Sequence, residues 1–276
     1  MVDTHPPKLV VLVTCFNRKA VTLEALRALP AAINNSFKSQ LVLVDDGTDG
    51  TSEAVRNEHP EAILVKGSGS LFWNGGMRLA WQTALALSPD FFLWLNDDTT
   101  LRPSAIADLL TEYRHASNPR TIVVGRTIDP HTRAVSYGGL VRSRIVSRLN
   151  FRFLTEQETE CHTMNGNCVL IPAIAAKEVG INSENYRHAF GDIDYGLRAR
   201  RLGYRIIELK QPVAQQEPNQ KFEASIGSLT LSNWRFITTN AKGIPWREWY
   251  RFCYEFGGPL WPLNFAVRYL KILRLR

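Results

Sequence analysis

Residues 91–100 read Phe-Phe-Leu-Trp-Leu-Asn-Asp-Asp-Thr-Thr: five apolar residues run straight into Asn96-Asp97-Asp98. A short, unbroken apolar run bounded by polar residues reads as a strand buried on both faces, the habit of parallel sheets. Two adjacent carboxylates at the end of such a strand are costly unless a cation or hydrogen bonds balance them. Working upstream, Leu9 to Phe16, Leu41 to Val44 and Ala62 to Val65 are similar runs. They end at Asn17-Arg18, Asp45-Asp46-Gly47 and Lys66-Gly67. Between them lie helical patterns over 19–29 (stopping at Pro30), 51–58 and 77–87. Strands therefore alternate with helices, which predicts an α/β domain with a mostly parallel sheet. In such sheets ligands bind beyond the carboxyl ends of the strands, where the polar residues just named stand.

Downstream of residue 125 the alternation weakens, and residues 130–165 read as loops or short antiparallel strands. A strand is expected at Cys168 to Ile171, helices at 172–179 and 192–202, and a last strand at Tyr204 to Leu209. The final stretch holds Trp234, Trp246, Trp249 and Trp261. From Leu263 onward, Leu263, Ala266, Tyr269, Leu270 and Leu273 share one helical face, with Arg268, Lys271 and Arg274 off it. That basic amphipathic pattern suits either a membrane surface or simple packing on the rest of the chain.

The bulk numbers set outer bounds. The chain has 276 residues, 45% of them apolar, and room for a large core. Charged residues at 21% and aromatics at 10% argue against disorder. The formal charge of +7 fits an anionic substrate, a membrane surface or nucleic acid. The basic residues are spread out and no motif supports nucleic acid, so none is expected as a partner. Cys15, Cys161, Cys168 and Cys253 form no CxxC pair and no zinc spacing, which reads as reduced thiols in a cytosolic protein. The first residues lack signal-peptide regions, and no stretch approaches the ~20 apolar residues that span a bilayer. Membrane contact is thus expected to be peripheral, at the inner face of the cytoplasmic membrane.

Four segments carry chemistry. Asn96-Asp97-Asp98 could hold a hard divalent cation shared with phosphates, or be an acidic turn. Asp46 could accept hydrogen bonds from a base or ribose, or belong to an Asp-Gly turn. Asp192 and Asp194 open a predicted helix, where acids are favoured by the dipole; one of them could also serve as a general base. The Gly67–Gly76 stretch could approach phosphates, although it matches neither GxGxxG nor a P-loop.

Order and spacing bring these segments together. VLVTCFNR at 11–18, LVLVDDGT at 41–48, the Asn74-Gly75-Gly76 stretch, FLWLNDDT at 92–99 and FGDIDYGLRARRLG at 190–203 resemble the family 2 glycosyltransferases with the GT-A fold, especially bacterial rhamnosyltransferase-like members. The resemblance covers roughly 8–210. It implies a GT-A fold: a Rossmann-like, mostly parallel central sheet with flanking helices and a C-terminal helical extension. It implies a catalytic domain over 1–215, with a nucleotide-binding half near 1–100 and an acceptor half near 101–215, and a basic, aromatic extension over 216–276. By position, Asp98 is the expected metal ligand for Mg²⁺ or Mn²⁺, and Asp97 is expected at the nucleotide donor, toward the ribose or the metal. Asp46 is the expected base- and ribose-binding acid and Asp192 the expected general base. Thr14, Phe16 and Arg18 are expected to line the nucleotide pocket, and Trp73 and Asn74 to lie near the donor.

The activity so implied is inverting transfer from a UDP- or dTDP-sugar to a saccharide or lipid-linked acceptor in surface polysaccharide synthesis. Three departures stand out: Asn96 opens the DXD motif, Gly191 precedes the base where an acid is usual, and the stretch 212–218 offers Gln216 and Glu217 where relatives place a metal-binding His. A non-catalytic nucleotide- or sugar-binding module would need Asp46 but not both Asp98 and Asp192. A nucleotidyltransferase would want Gly, Arg and Lys after the first strand, which Asn17-Arg18-Lys19 matches poorly.

Overall fold

The computed structural model describes residues 5–143, 148–219 and 230–273. Its first half is a run of β1 (Lys8–Cys15), α1 (Lys19–Arg27), α2 (Leu29–Ile33), β2 (Lys38–Asp45), α3 (Thr51–Glu58), β3 (Ile63–Lys66), α4 (Phe72–Leu85) and β4 (Phe91–Leu95). Then come β5 (Thr100–Leu101), α5 (Ala105–Ala116), β6 (Thr121–Ile128), β7 (Val135–Tyr137), β8 (Gly139–Arg142), β9 (Phe151–Phe153) and β10 (Thr163–Met164). The chain continues through β11 (Cys168–Pro172), α6 (Ala173–Glu178), α7 (Gly191–Arg201) and β12 (Arg205–Gln215) to α8 (Leu231–Thr239), α9 (Trp246–Phe256) and α10 (Trp261–Leu273).

The main sheet has the order β3-β2-β1-β4-β11-β6-β12-β5, with β7 beside β6. β3, β2, β1 and β4 are parallel, as is the pair of β6 and β12; β11 runs antiparallel between β4 and β6. The chain walks from β1 to β3 at one edge, then returns to place β4 on the other side of β1. The carboxyl ends of β1 and β4 are therefore the point where strand order reverses, the usual ligand position in an open α/β sheet.

Alternation within the strands builds two apolar layers. In β1, Leu9, Val11 and Val13 face one core with Leu26, Ile33, Val55 and Leu109 from α1, α2, α3 and α5. Val10 and Leu12 face the other, with Met77 and Trp81 from α4 and Tyr195 from α7. All four cysteines are buried free thiols.

The structure adjusts several expected boundaries. Pro30 does not end the first helix region; it sits in the opening turn of α2, where a missing N–H is harmless. α4 begins at Phe72, so Trp73 to Gly76 form its first turn and not a loop. β12 continues past a register shift between Leu209 and Ala214 to reach Gln215. The polar Lys210-Gln211-Pro212 sequence falls at that irregularity and hides the continuation. The 130–165 region does contain short antiparallel strands, and β8, β9 and β10 form a separate small sheet.

α8, α9 and α10 pack through a third cluster of Ile237, Trp249, Phe252 and Phe256 onto Tyr186 and Leu197. On α10 the face shared by Leu263, Ala266, Leu270 and Leu273 points outward, while Phe265, Tyr269 and Ile272 pack inward. Arg274 lies outside the described residues.

Trp81 is fully buried, with Phe92, Trp94 and Tyr195 around its indole at 5.3–5.5 Å between ring centres. Trp81→Ala is expected to lower the unfolding free energy by about 3–5 kcal/mol, read by urea denaturation.

Candidate active site

β1 and β4 end side by side, and the segments leaving the two strands meet across the switch point. Asn17 takes a left-handed conformation (φ 52°), which turns the chain and aims Arg18 toward β4. The Arg18 guanidinium then bridges both acids. Its Nε donates to Asp97 Oδ2 at 3.2 Å, one Nη pairs with Asp97 Oδ1, and the other Nη donates to Asp98 Oδ2 at 2.8 Å. Asp97 is 4% exposed, Asp98 18% and Arg18 45%. Burial pushes the Asp97 carboxyl up to about 6; Arg18 pulls it down and the neighbouring Asp98 charge pushes it up. Thr22 of α1 adds a hydroxyl 3.4 Å from Asp97.

The other oxygen of Asp98 accepts from Gln216 Nε2 at 2.6 Å. Gln216 is itself buried at the end of β12, and its Oε1 accepts from Thr99 Oγ1 and Asn167 Nδ2, each at 2.7 Å. Turning that oxygen toward a cation would leave two buried donors without an acceptor; as it stands, the Gln216 side chain holds Asp98 in place. Glu217 is exposed and faces His131 at 2.9 Å. Among the described residues no group of three or more His, Cys, Asp or Glu could enclose a metal ion. What remains fits a hard cation of the type that takes one or two carboxylates and completes its shell with substrate phosphate and water. Asp98, carrying a partly exposed carboxylate, is the residue suited to it.

The two consecutive acids at the end of β2 have different surroundings. Asp45 accepts from Gly47 N at 2.9 Å and from both the amide and hydroxyl of Ser52, which fastens the start of α3. Asp46 Oδ1 and Oδ2 accept from the amides of Gly69 and Leu71 at 2.6 and 2.8 Å, so it holds the chain between β3 and α4 in place.

α4 carries Trp73 and Asn74 in its first turn. Trp73 Nε1 donates to Asn96 Oδ1 at 2.7 Å, and its ring meets Trp94 edge-on at 5.9 Å. Asn96 is thus a hydrogen-bond acceptor for an indole, a place that a charged acid would fill less cheaply. Asn74, expected near the donor, is engaged with protein groups. It is fully buried, donates to the carbonyls of Ser183 and Tyr186 at 2.8 and 2.6 Å, and accepts from Asn182 at 3.0 Å. It holds the 182–186 segment in place. A Cβ at Gly191 would collide with the Asn74 amide oxygen, which accounts for glycine at the position before Asp192. Thr14 is buried under Gly76, and Phe16 is half-exposed.

α7 begins at Gly191, after Phe190 in a left-handed conformation (φ 70°). Its two acids part company. Asp194 pairs with Arg198 at 2.8 Å, and Arg198 also grips the carbonyls of Val179 and Ile181. Asp192 has no cation partner among the described residues. Its Oδ2 accepts from Gly166 N at 3.0 Å and its Oδ1 from its neighbour Ile193 N at 2.8 Å. Burial raises its pKa above the usual carboxylate range, opposed by those amides.

One short segment ties the two acidic centres. Gly166 donates to Asp192, Asn167 donates to Gln216, and Asn96 N donates to Asn167 O at 3.0 Å. Tyr137 lies near enough to Asp98, Arg18 and Asp192 for all three charges to act on its hydroxyl. Sequence reasoning missed Tyr137, Asn167 and Thr99; their partners lie far away in the chain, and only the tertiary fold brings them here.

Residues 6–230 match a family described as glycosyltransferase like family 2. No curated protein matches the chain. The mannosyltransferase PcManGT from Pyrobaculum calidifontis in complex with GDP-Man and Mn²⁺ shares 17% identity at a TM-score of 0.58, covering 91% of this chain and 63% of that one. TarS 1–349 of S. aureus in complex with UDP-GlcNAc shares 14% at 0.57, covering 90% and 66%. GalNAc-T7 with UDP, GalNAc and Mn²⁺ shares 13% at 0.61, covering 91% and 51%. At these identities the likeness is one of fold, and the chain spans between half and two thirds of those proteins' lengths.

Asn74→Ala is expected to cost about 1–3 kcal/mol for the buried partners left unpaired. Chemical denaturation measures this.

Proposed function

The chain belongs to the glycosyltransferase-like family 2 and has the GT-A fold, and from this we propose that it moves a sugar from a nucleotide-sugar donor to an acceptor hydroxyl with inversion. The observation that carries the reading is a pair of unlike acidic centres joined through the Gly166–Asn167 segment: Asp97-Asp98 held by Arg18, and Asp192 with no cation partner among the described residues. A binding module has use for the first and none for the second.

Donor binding falls to the ends of β1, β2 and β4. Asp46 offers its remaining lone pairs to the base or ribose, Thr14 and Phe16 line the same end, and Trp73 bounds it through its bond to Asn96. Asp98, with Asp97 beside it, is the residue we assign to Mg²⁺ or Mn²⁺, in keeping with the Mn²⁺ in the complexes of PcManGT and GalNAc-T7. When bound, such a cation supplies charge neutralisation for the leaving diphosphate. Arg18 contributes fixed positive charge to the same region.

Asp192 acts as general base. Its Oδ atoms are held by Gly166 N and Ile193 N, so the carboxylate is oriented before the acceptor arrives. As the acceptor oxygen attacks the anomeric carbon, the hydroxyl proton passes to Asp192 while the bond to the diphosphate oxygen breaks. One displacement inverts the carbon, and no covalent glycosyl-enzyme forms. A base with a raised pKa drives proton removal better than an ordinary carboxylate.

Calorimetric titration of UDP, dTDP and GDP, each with Mn²⁺ and with EDTA, tests the donor site. Metal-dependent binding of one nucleotide, lost in Asp98→Ala, is the expected result; binding indifferent to metal and to Asp98 overturns the assignment. Asp192→Asn is expected to lower kcat by about 10²–10⁴-fold with donor affinity kept. Because the base works deprotonated and burial raises its pKa, kcat/KM falls with acid at a pH above the ordinary aspartate value of 3.8. An acid limb at or below that value counts against Asp192 as base.

The acceptor side includes the outward face of α10. Leu263, Leu270 and Leu273 are exposed there, Leu260 precedes them, and Lys271 lies alongside. Apolar residues flanked by basic ones suit a leaflet of anionic lipid, and we assign this face to the membrane that carries a lipid-linked acceptor in polysaccharide assembly. No described helix is long and apolar enough to cross a membrane. Leu263→Glu with Leu270→Glu is expected to abolish co-flotation with phosphatidylglycerol vesicles; unchanged flotation removes the assignment.

A further inference from the structure

Both oxygens of Asp98 are already engaged. Oδ1 holds the amide of Gln216 at 2.6 Å and Oδ2 holds Arg18 at 2.8 Å. Gln216 is locked by Thr99 and Asn167, and Asp97 is buried, so neither can withdraw cheaply. Arg18 differs. It is the most exposed member of the cluster, and only its guanidinium bonds join it to the acids. A guanidinium presents a planar fork of donors that suits phosphate as well as carboxylate, and it stays charged under all ordinary conditions.

We propose that Arg18 is a resident counter-ion of Asp97 and Asp98 that competes with a divalent cation for Asp98, and that the donor diphosphate relieves the competition by giving the guanidinium a second anionic partner. The proposal rests on the donor-site reading above. Its physical basis is charge. One guanidinium shared between two carboxylates leaves the pair with one net negative charge, sparing the buried Asp97 an unpaired state. A metal ion arriving alone must separate Arg18 from Asp98 and gains only that carboxylate and water in return. A nucleoside diphosphate arriving with it adds phosphate oxygens for both cations. Metal and donor therefore bind with positive coupling, and the arginine is the element through which each favours the other.

The test reads Mn²⁺ binding, free of activity, from the electron paramagnetic resonance signal of the unbound ion. The proteins are wild type, Arg18→Met, Asp98→Ala and the double variant. Without nucleotide, Arg18→Met is expected to bind Mn²⁺ about ten-fold tighter than wild type, the size of an ordinary coupling between sites. Adding Asp98→Ala abolishes the gain. With saturating UDP, dTDP or GDP, wild type tightens toward Mn²⁺ and Arg18→Met tightens less. Should Arg18→Met fail to fold, Arg18→Lys carries the test: it keeps the charge without the fork, and a several-fold tightening is expected. Equal Mn²⁺ affinity in wild type and the Arg18 variants, with binding still lost in Asp98→Ala, overturns the competition and leaves the metal assignment standing. No Mn²⁺ binding to any variant, with or without nucleotide, overturns both.

Discussion

Arg18 reaches from the end of β1 to the two carboxylates at the end of β4, and the rest of the site is arranged around that contact. The strands are apolar because the sheet is covered on both faces, so whatever leaves their ends starts from a low-dielectric environment. Asp97 shows the consequence: even with a guanidinium in contact, burial holds its carboxyl up at about 6. Removing Arg18 would leave that acid buried without compensation, an arrangement folded proteins avoid. The left-handed turn at Asn17, the hydroxyl of Thr22 and the Gln216 amide all serve the same local demand for positive or hydrogen-donating groups.

A second constraint concerns α7, which carries Asp192 in its first turn. Its start is held from behind by the C-terminal helices. Phe190 stacks on Trp249 and Phe252 with ring centres 5.5 and 5.0 Å apart, and Glu248 of α9 binds Arg187 at 2.8 Å. The Arg187 carbonyl in turn accepts from the Asn74 and Gly75 amides at 3.1 and 3.4 Å, linking α9 to the first turn of α4. The C-terminal helices thus brace the segment between the first turn of α4 and the start of α7, and Trp249 is part of that brace while Trp246 stays exposed.

Legibility in the sequence depends on which forces are local. β4 and its acids were legible because burial on two faces writes a continuous apolar run, and α3 was legible from its bounding turn residues and length. The alternation of strand and helix was enough for the parallel half of the sheet. The antiparallel insertion of β11 between β4 and β6 was not legible, since its apolar run looks the same in either direction. Asn74 read as a donor contact because its neighbours carry the family pattern; its burial depends on the 182–186 segment, over a hundred positions away in the chain. Gln216 read as a possible ligand because of its place after the last strand. Its orientation is set by Thr99 and Asn167, partners that no spacing rule connects.

The distinct surroundings of the acids come from topology. Strand order reverses between β1 and β4, so a cationic side chain after β1 falls opposite the acids after β4 and neutralises them. Asp192 enters from the first turn of α7 and is held by the amides of Gly166 and Ile193, with no ion pair to a cation among the described residues. Amides orient a carboxylate without supplying a full charge, so burial still raises its pKa. The two acidic centres thus differ in their partners: a guanidinium at Asp97 and Asp98, backbone amides at Asp192. The Gly166–Asn167 segment joins them, through Gly166 N to Asp192 and Asn167 Nδ2 to Gln216, which in turn holds Asp98.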